Sequence, residues 1–245
     1  MQPNIIKTEL EVVQSLRDLF LHENNFQFIY NKCHQFGWAD IYLFLHDGIK
    51  IGYGSVWGKD KRQERDTIFE FYLLPLYRKY ATNLFPEFCT ISATNFVECQ
   101  SNDEFLTSML YRYCRNINAE AILFKDHFTS NLHLPGTIFR KQTNADELND
   151  DDGQYVLELN NEIVASGGFV WNYNLPYIDM YYEVKEAHRR RGLGSFLTQE
   201  LKKEAYHLQR IPAARCNINN HISKAVLVKA GMRVCGYILI GEIKK

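Results

Sequence analysis

The sequence lacks several patterns that mark common protein classes. Its six cysteines are scattered and form no C-x-x-C pair, so nothing indicates a disulfide framework or a zinc site. No apolar run approaches the roughly 18 residues of a membrane span, and the first residues do not resemble a signal peptide. These absences predict reduced thiols, no bound metal, no membrane contact and a cytoplasmic location.

An excess of charge of one sign is also missing. The chain has 28 basic and 29 acidic residues, which gives a net charge of -1. No overall field therefore attracts nucleic acid, and any basic site has to be local. The run Arg189–Arg191 is such a site, but one short run is thin support for a nucleic-acid contact, so we predict no nucleic-acid partner.

Length and composition suit two globular modules. The chain has 245 residues, of which 46% are hydrophobic and 23% charged, enough for two modules of roughly 110 residues with real cores. The segment 126–153 contains Pro135, Gly136 and an acidic turn that ends at Gly153, which makes it the best boundary region. We predict two domains, residues 1–130 and 131–245.

Hydrophobic periodicity predicts the same order of elements in both halves. The first half opens with helical residues 8–34, with Thr8 and Glu11 as a capping box, followed by a hairpin around Asp47-Gly48. Its other predicted elements are strands 41–45, 51–57, 67–73 and 96–99 and helices 78–88 and 103–114. The second half is predicted to contain strands 137–142, 154–160, 163–172, 177–184, 213–217 and 233–243 and helices 192–207 and 220–230.

The two halves also match residue by residue. Gly54-Ser55-Val56-Trp57 corresponds to Gly168-Phe169-Val170-Trp171, Arg78 to Arg189, Phe85 to Phe196, Cys99 to Cys216 and Asn102 to Asn219. The offset varies only between 111 and 117 residues, which differences in loop length can absorb. We predict two tandem copies of one α+β module.

The segment Arg-Arg-Arg-Gly-Leu-Gly-Ser at residues 189–195 carries the main functional signal. It joins a predicted strand to a predicted helix, and the free N–H groups and positive dipole of a helix start suit a phosphate. Gly192 and Gly194 leave these donors open, and the arginines can add charged hydrogen bonds. By itself the motif is weak, because glycines also close tight turns and arginines also form solvated surfaces.

In its context, this loop resembles the GNAT superfamily of N-acetyltransferases. That family has R/Q-x-x-G-x-G/A at a helix start, and a strand ends in an apolar residue and Val eight residues before the first glycine, as Val184 does before Gly192. Its later motif, Asn followed by a helix ending in Gly-Phe, is matched by Asn220 and Gly231-Met232, with Met for Phe. The resemblance covers residues 137–243 well and 38–115 as a degenerate copy.

The resemblance implies two tandem modules, each a mixed, mostly antiparallel sheet flanked by helices, with acetyl-CoA bound in the second. The main chain at Tyr182, Glu183 and Val184 would pair with the pantetheine arm, and Asn220 and Ser223 would face the cofactor. Asn220 fits a helix cap equally well, and the two roles are compatible. The loop residues Arg189, Arg190, Arg191, Gly192, Leu193, Gly194 and Ser195 would hold the pyrophosphate.

The groups that would carry out acid–base chemistry are harder to place. Ile178 stands where some family members carry a glutamate, and Leu227 stands where a tyrosine is often found. Asp179 and Glu183 are the available carboxylates and our candidate catalytic residues. Strand alternation directs both to the face opposite Ile178 unless a bulge intervenes, so solvent-facing charges are the alternative. Tyr181, Tyr182 and His188 could also transfer protons, but packing and surface roles fit them as well.

The first half offers a contrast. It has Ala81 and Asn83 where the second half has Gly192 and Gly194, which predicts one CoA per chain and a first module that packs against the second and shapes the acceptor cleft. We predict an N-acetyltransferase acting on a primary amine of a small molecule, peptide or protein. The missing glutamate and tyrosine favour the alternative, a non-catalytic acyl-CoA-binding sensor or scaffold.

Overall fold

The chain forms two compact units, which we describe separately. The computed structural model describes residues 4–24, 26, 31–146, 153–171 and 175–244. Unit 1 comprises the described residues up to Glu120 together with those from Gly236 onward, and unit 2 comprises Ala121–Cys235. The chain therefore passes between units at Glu120 and at Cys235, whereas the division into domains 1–130 and 131–245 stays a prediction.

Unit 1 is a mixed sheet with helices. Its strands follow the order β1-β2-β3-β4-β5-β12, and all described pairings are antiparallel except that of β4 with β5. The strands are β1 (Asn4–Thr8), β2 (Ala39–His46), β3 (Ile49–Trp57), β4 (Thr67–Leu73), β5 (Phe96–Gln100) and, from Gly236 onward, β12 (Met232–Ile243). The helices are α1 (Leu10–Asn24), α2 (Asn31–Gln35), α3 (Ala81–Ile91) and α4 (Glu104–Tyr113), with a 3-10 helix at Pro75–Tyr80.

Unit 2 repeats this plan. Its strand order is β6-β11-β10-β9-β8-β7, and only β10 and β11 are parallel among its described pairs. The strands are β6 (Cys114–Asp126, in this unit from Ala121), β7 (Thr137–Lys141), β8 (Tyr155–Leu159), β9 (Glu162–Val170), β10 (Tyr177–Val184) and β11 (Ile211–Asn217). The helices are α5 (Leu193–His207) and α6 (His221–Lys229), with 3-10 helices at Asn144–Asp146 and Glu186–His188. The predicted mixed, mostly antiparallel sheets flanked by helices are confirmed.

In each unit the two parallel strands separate partway along their length. The pairing of β10 with β11 ends at Asp179 and Ala213, although β10 continues to Val184. The pairing of β4 with β5 ends at Ile68 and Val97, although β4 continues well beyond. Main-chain groups of the diverging segments therefore lack each other as partners. A wedge opens between the parallel strands of each unit.

Each unit has its own hydrophobic core. The core of unit 1 is rich in aromatic side chains. The ring centroid of Phe71 lies 5.5 Å from that of Phe44 and 5.0 Å from that of Phe85. In unit 2, Leu197 and Leu201 of α5 are fully buried over the sheet. Burial of each such side chain contributes roughly 1.5–3 kcal/mol to the stability of its unit. The strands on both sides of each wedge are therefore fixed by a packed core.

One prediction for the first half is wrong, and one strand was not predicted. The predicted helical segment 8–34, of which residues 25 and 27–30 lie outside the described residues, contains α1 and α2. Its first residue, Thr8, however, ends strand β1 and pairs with Ile41, so Thr8 cannot cap a helix that starts at Leu10. Strand β6 was not predicted, because Arg115, Asn116 and other polar residues interrupt its apolar pattern. The conformation of both segments depends on main-chain pairing with distant strands, which hydrophobic periodicity cannot predict.

Gly231, the glycine of the later motif, is held at a crowded turn. Its φ of 89° lies in the left-handed region, and a methyl group there would overlap the main-chain oxygen of Phe128 and approach Nζ of Lys202. Lys202 is buried and donates to the oxygens of Phe128 at 2.8 Å and Ala230 at 2.9 Å. This turn therefore has no room for a side chain.

We expect Gly231→Ala to destabilise unit 2 by about 2–5 kcal/mol, the sum of left-handed strain and overpacking. Gly136→Ala is the matched control, because Gly136 also has a positive φ of 75° but its nearest neighbour is a methyl of Leu159 at 3.6 Å. The control should lose only the roughly 1–2 kcal/mol of strain. Urea unfolding measures both, and equal losses would show that the crowding at Gly231 has no effect.

Candidate functional site

A pocket of about 950 Å³ opens in unit 2 at the wedge between β10 and β11. This volume is in the range of small-molecule sites. The end of β10, the turn that follows, the start of α5 and the first turns of α6 form its walls. The lining residues are Tyr182, Glu183, Val184, Glu186, His188, Arg189, Arg190, Gly192, Leu193, Gly194, Ser195, Asn220, Ile222, Ser223 and Val226.

The pocket brings together most of the residues singled out from the sequence. Among the candidate cofactor residues, Arg191 is not part of the lining, and its side chain is exposed. Among the candidate carboxylates, Glu183 lines the pocket and Asp179 does not. The roles of these residues stay predictions at this point.

The start of α5 presents unused hydrogen-bond donors. Gly192 occupies the N-cap position with a φ of 82°, and no side chain caps the helix. The main-chain N–H of Phe196 makes a bond to the oxygen of Gly192 at 3.1 Å, so the preceding N–H groups of Leu193, Gly194 and Ser195 have no partner within the helix. Together with the helix dipole, these donors suit an anion.

Gly194 sets how closely α5 approaches its neighbours. A Cβ at this position would lie 3.4 Å from both methyl groups of Val226 and 3.5 Å from the ring of Tyr182. The Ser195 hydroxyl donates to the main-chain oxygen of Val226 at 3.3 Å and ties α5 to α6. A methyl group fits this space as an ordinary contact, but a larger side chain would enter the pocket.

Basic side chains surround the uncapped helix start. Nε of Arg189 donates to the oxygen of Val184 at 3.1 Å, which places its guanidinium at the end of β10, and Arg190 is exposed on the lining. A further cation, which was not predicted from the sequence, is Lys229, whose Nζ lies 4.0 Å from the position of a Cβ on Gly192. Lys229 ends α6, and no pattern in the local sequence connects it with the start of α5.

Asn220 acts as the cap of α6. Its Oδ1 accepts a hydrogen bond from the N–H of Ser223 at 2.9 Å, while both residues also line the pocket. The cap is therefore present and leaves Asn220 accessible from the pocket. Opposite them, burial raises the pKa of Tyr182, and the neighbouring Ser223 hydroxyl works against that shift.

The candidate proton-transfer groups differ in their surroundings. Asp179 is 7% exposed, and its carboxylate lies 3.5 Å from Nε of Arg215, so the expectation of a solvent-facing charge is wrong for this residue. Glu183 is exposed at the pocket. Nε2 of His188 lies 3.1 Å from the carboxylate of Glu162.

Ile178 and Leu227 are each 1% exposed and belong to the core of unit 2. These two positions therefore carry no group that could donate or accept a proton.

Other site types find no support in the described part of the chain. Within the described ranges, no three His, Cys, Asp or Glu side chains are grouped so that they could hold a metal ion. All six cysteines are free and five are buried, and burial raises the pKa of Cys33 and Cys99 to about 12. No described helix is both long and apolar enough to span a membrane.

Comparisons with known proteins agree with this geometry. Residues 117–232 match the model of the Acetyltransferase (GNAT) family. An acetyltransferase from the GNAT family of Colwellia psychrerythraea is structurally similar, with a TM-score of 0.78, 13% identity and full coverage of both chains.

Two further solved structures are similar over nearly the whole chain. A GCN5-related N-acetyltransferase from Sphaerobacter thermophilus has a TM-score of 0.63 and 12% identity, and the match covers 99% of this chain and 96% of that one. A tandem GNAT protein from the clavulanic acid biosynthesis pathway has a TM-score of 0.63 and 10% identity, with coverage of 100% and 99%. At these identities the likeness establishes the fold. A comparison with curated proteins gives no match.

Proposed function

We propose that this chain, whose residues 117–232 match the model of the Acetyltransferase (GNAT) family, transfers an acetyl group from acetyl-CoA to a primary amine. The acceptor would be a small molecule, a peptide or a protein. One observation carries the proposal, namely the uncapped, glycine-led start of α5 beside the diverging end of β10. A cytoplasmic location, the absence of a metal and the absence of a nucleic-acid partner stay predictions from the sequence.

The pocket fits the parts of acetyl-CoA. The N–H groups at the start of α5, with Arg189, Arg190 and Lys229 nearby, suit the negatively charged diphosphate. Beyond Asp179, the edge of β10 has lost β11 as a partner, so main-chain groups around Tyr182 and Val184 would pair with the amides of the pantetheine arm. Asn220 and Ser223 would face this arm from α6.

The transfer needs several proton movements. A neutral amine nitrogen attacks the thioester carbonyl carbon, the carbon–sulfur bond breaks, and the amine proton leaves while the thiolate gains one. We assign Glu183 as the group that accepts the amine proton, because it lines the pocket and is exposed. Asp179, the other candidate, is less suited because it lies outside the lining and Arg215 balances its charge.

The experiment is a measurement of thiol release from acetyl-CoA across a panel of primary amines. The unmodified protein should turn over, and Glu183→Gln should lower kcat by roughly 10²–10⁴-fold, the usual range for general acid–base catalysis, with CoA affinity unchanged. Glu186→Gln is the matched control, since Glu186 is also an exposed carboxylate of the lining. An equal loss in both variants would rule out a specific role for Glu183.

A non-catalytic acyl-CoA sensor or scaffold is the second candidate. The observation in its favour is that Ile178 and Leu227 are apolar and buried, so two positions that often carry catalytic groups in the family cannot act on protons. Tight CoA binding without acetyl transfer to any amine of the panel would decide for this alternative.

A further inference from the structure

Unit 1 has a pocket of its own, of about 460 Å³, at the wedge between β4 and β5. It corresponds to the pocket of unit 2, because Arg78 matches Arg189 and both pockets reach the start of the helix that follows the second parallel strand. Asp103 caps α4 by accepting from the N–H of Leu106 at 2.9 Å, as Asn220 caps α6. The fold therefore repeats a ligand-sized cavity in a unit that lacks the glycine loop.

The features that suit an anion in unit 2 are neutralised here. Glu23 of α1 forms an ion pair with the guanidinium of Arg78 and also accepts from the Tyr72 hydroxyl at 3.0 Å. The charge of Arg78 is thus balanced within the wall. The carboxylate of Asp103 lies over the start of α4 and caps it, so a negative charge already occupies this helix start.

Among the described residues, two carboxylates at the pocket have no ion-pair partner, and one buried acceptor has no donor. Asp103 is 4% exposed, whereas Glu104 next to it is exposed. Neither carboxylate forms a salt bridge with another described residue. Oδ1 of Asn102 is buried at the pocket and has no hydrogen-bond partner within the described ranges. Leaving a buried polar atom unpaired costs about 1–3 kcal/mol, so a donor that enters the pocket would be stabilised by pairing with this oxygen.

The remaining wall is aromatic. Phe20, Phe71, Tyr72 and Phe105 line the pocket, and ring faces attract cations. The guanidinium of Arg78 already lies 5.3 Å from the ring centre of Phe105. Apolar walls with acidic groups at one end suit a molecule that has an apolar body and a positively charged head.

We propose that this pocket of unit 1 binds a small organic cation of the primary-amine class. The ammonium group would donate to the carboxylates of Asp103 and Glu104 and to Oδ1 of Asn102, while the apolar part contacts the aromatic wall. The inference does not rest on acetyl transfer in unit 2, because it concerns a separate cavity.

Ionisation of Asp103 gives the site a pH dependence. Burial raises the pKa of Asp103 to about 7, with hydrogen bonds from the N–H groups of Leu106 and Phe105 acting against it. Among the charged groups around it, Glu70 of β4 raises this pKa and Arg78 lowers it, while Glu23 and Glu104 complete the charges of the lining. A carboxylate binds ammonium only when ionised, so amine affinity should increase as the pH rises through about 7.

Calorimetric titration of the full chain, without CoA, with butylamine, benzylamine and 1,4-diaminobutane tests the proposal, with butyrate as the oppositely charged control. We expect binding of at least one amine and none of butyrate. Asp103→Asn should weaken amine binding at least tenfold and abolish its dependence on pH near 7. This variant keeps a helix cap, since asparagine is a good cap residue and Asn220 already performs that role in unit 2.

Two further variants make the result specific. Asn102→Ala should also weaken amine binding, whereas Glu87→Gln, a charge change in α3 away from the lining, should leave it unchanged. CoA affinity should be the same in all of these variants. Binding of butyrate in place of amines, no binding of any of the three amines, or an Asp103→Asn variant that binds as well as the unmodified chain would overturn the proposal.

Discussion

Replacing Gly194 by valine is expected to lower the affinity for acetyl-CoA by at least about 100-fold, or roughly 2.7 kcal/mol. The Cβ alone would lie 3.4 Å from Val226 and 3.5 Å from the Tyr182 ring, so the two added methyl groups have to occupy the pocket or push α5 from α6. Either outcome removes the N–H groups of the helix start from the diphosphate.

Gly194→Ala is the matched control, because its single methyl group makes only ordinary contacts. It should bind acetyl-CoA within about threefold of the unmodified chain, equivalent to less than about 1 kcal/mol. Isothermal calorimetry measures both variants and gives the stoichiometry, for which we expect one acetyl-CoA per chain. Undiminished binding by the valine variant would place the cofactor elsewhere, and a stoichiometry of two would contradict our interpretation of Ala81 and Asn83.

Replacing Glu70 by alanine is expected to destabilise unit 1 by about 3–5 kcal/mol, the usual cost of breaking a buried ion pair. Glu70 is 2% exposed. Its carboxylate bonds to Arg17 at 3.0 Å, to Nε2 of His34 at 3.1 Å and to the Ser55 hydroxyl at 3.1 Å. Without it, the positive charge of Arg17 stays buried and unpaired.

The same group makes stability depend on pH. Burial alone would raise the pKa of Glu70, but the charges of Arg17 and His34 outweigh burial and hold it well below the usual range. The stabilisation is therefore fully present above the unfolded-state pKa of about 4.3 and is lost progressively as the pH falls below that value.

Urea unfolding at pH 7 and pH 4 measures this effect. Asp18→Asn, on the exposed face of α1, is the control and should change the free energy of unfolding by less than about 0.5 kcal/mol. A loss of similar size for Asp18→Asn and Glu70→Ala would contradict the role assigned to the buried carboxylate.

The sequence was sufficient for features that depend on local pattern. Strand β10 and the start of α5 lie where the alternation and the glycines of residues 177–195 predicted them, and the hairpin at Asp47-Gly48 has the positive φ values of 50° and 78° that such a turn requires. These features depend on neighbouring residues, which periodicity and turn chemistry report directly.

Features that depend on distant partners could not be predicted. The burial of Asp179 requires Arg215 from β11, and the neutralisation of Arg78 requires Glu23 from α1. Lys229 reaches the start of α5 only because α6 packs beside it. In each case the contact is between residues far apart in the chain, and the local sequence does not indicate which residue the partner is.

The route of β12 has a consequence for synthesis on the ribosome. Its first residues belong to unit 2, whereas its residues from Gly236 onward belong to unit 1, where Ile238–Glu242 pairs with β5. Domains usually fold in the order in which they emerge, but unit 1 has to wait for this strand until all of unit 2 has been translated. The half of the protein that is made first is therefore the half completed last, and β5 carries an open edge in the meantime.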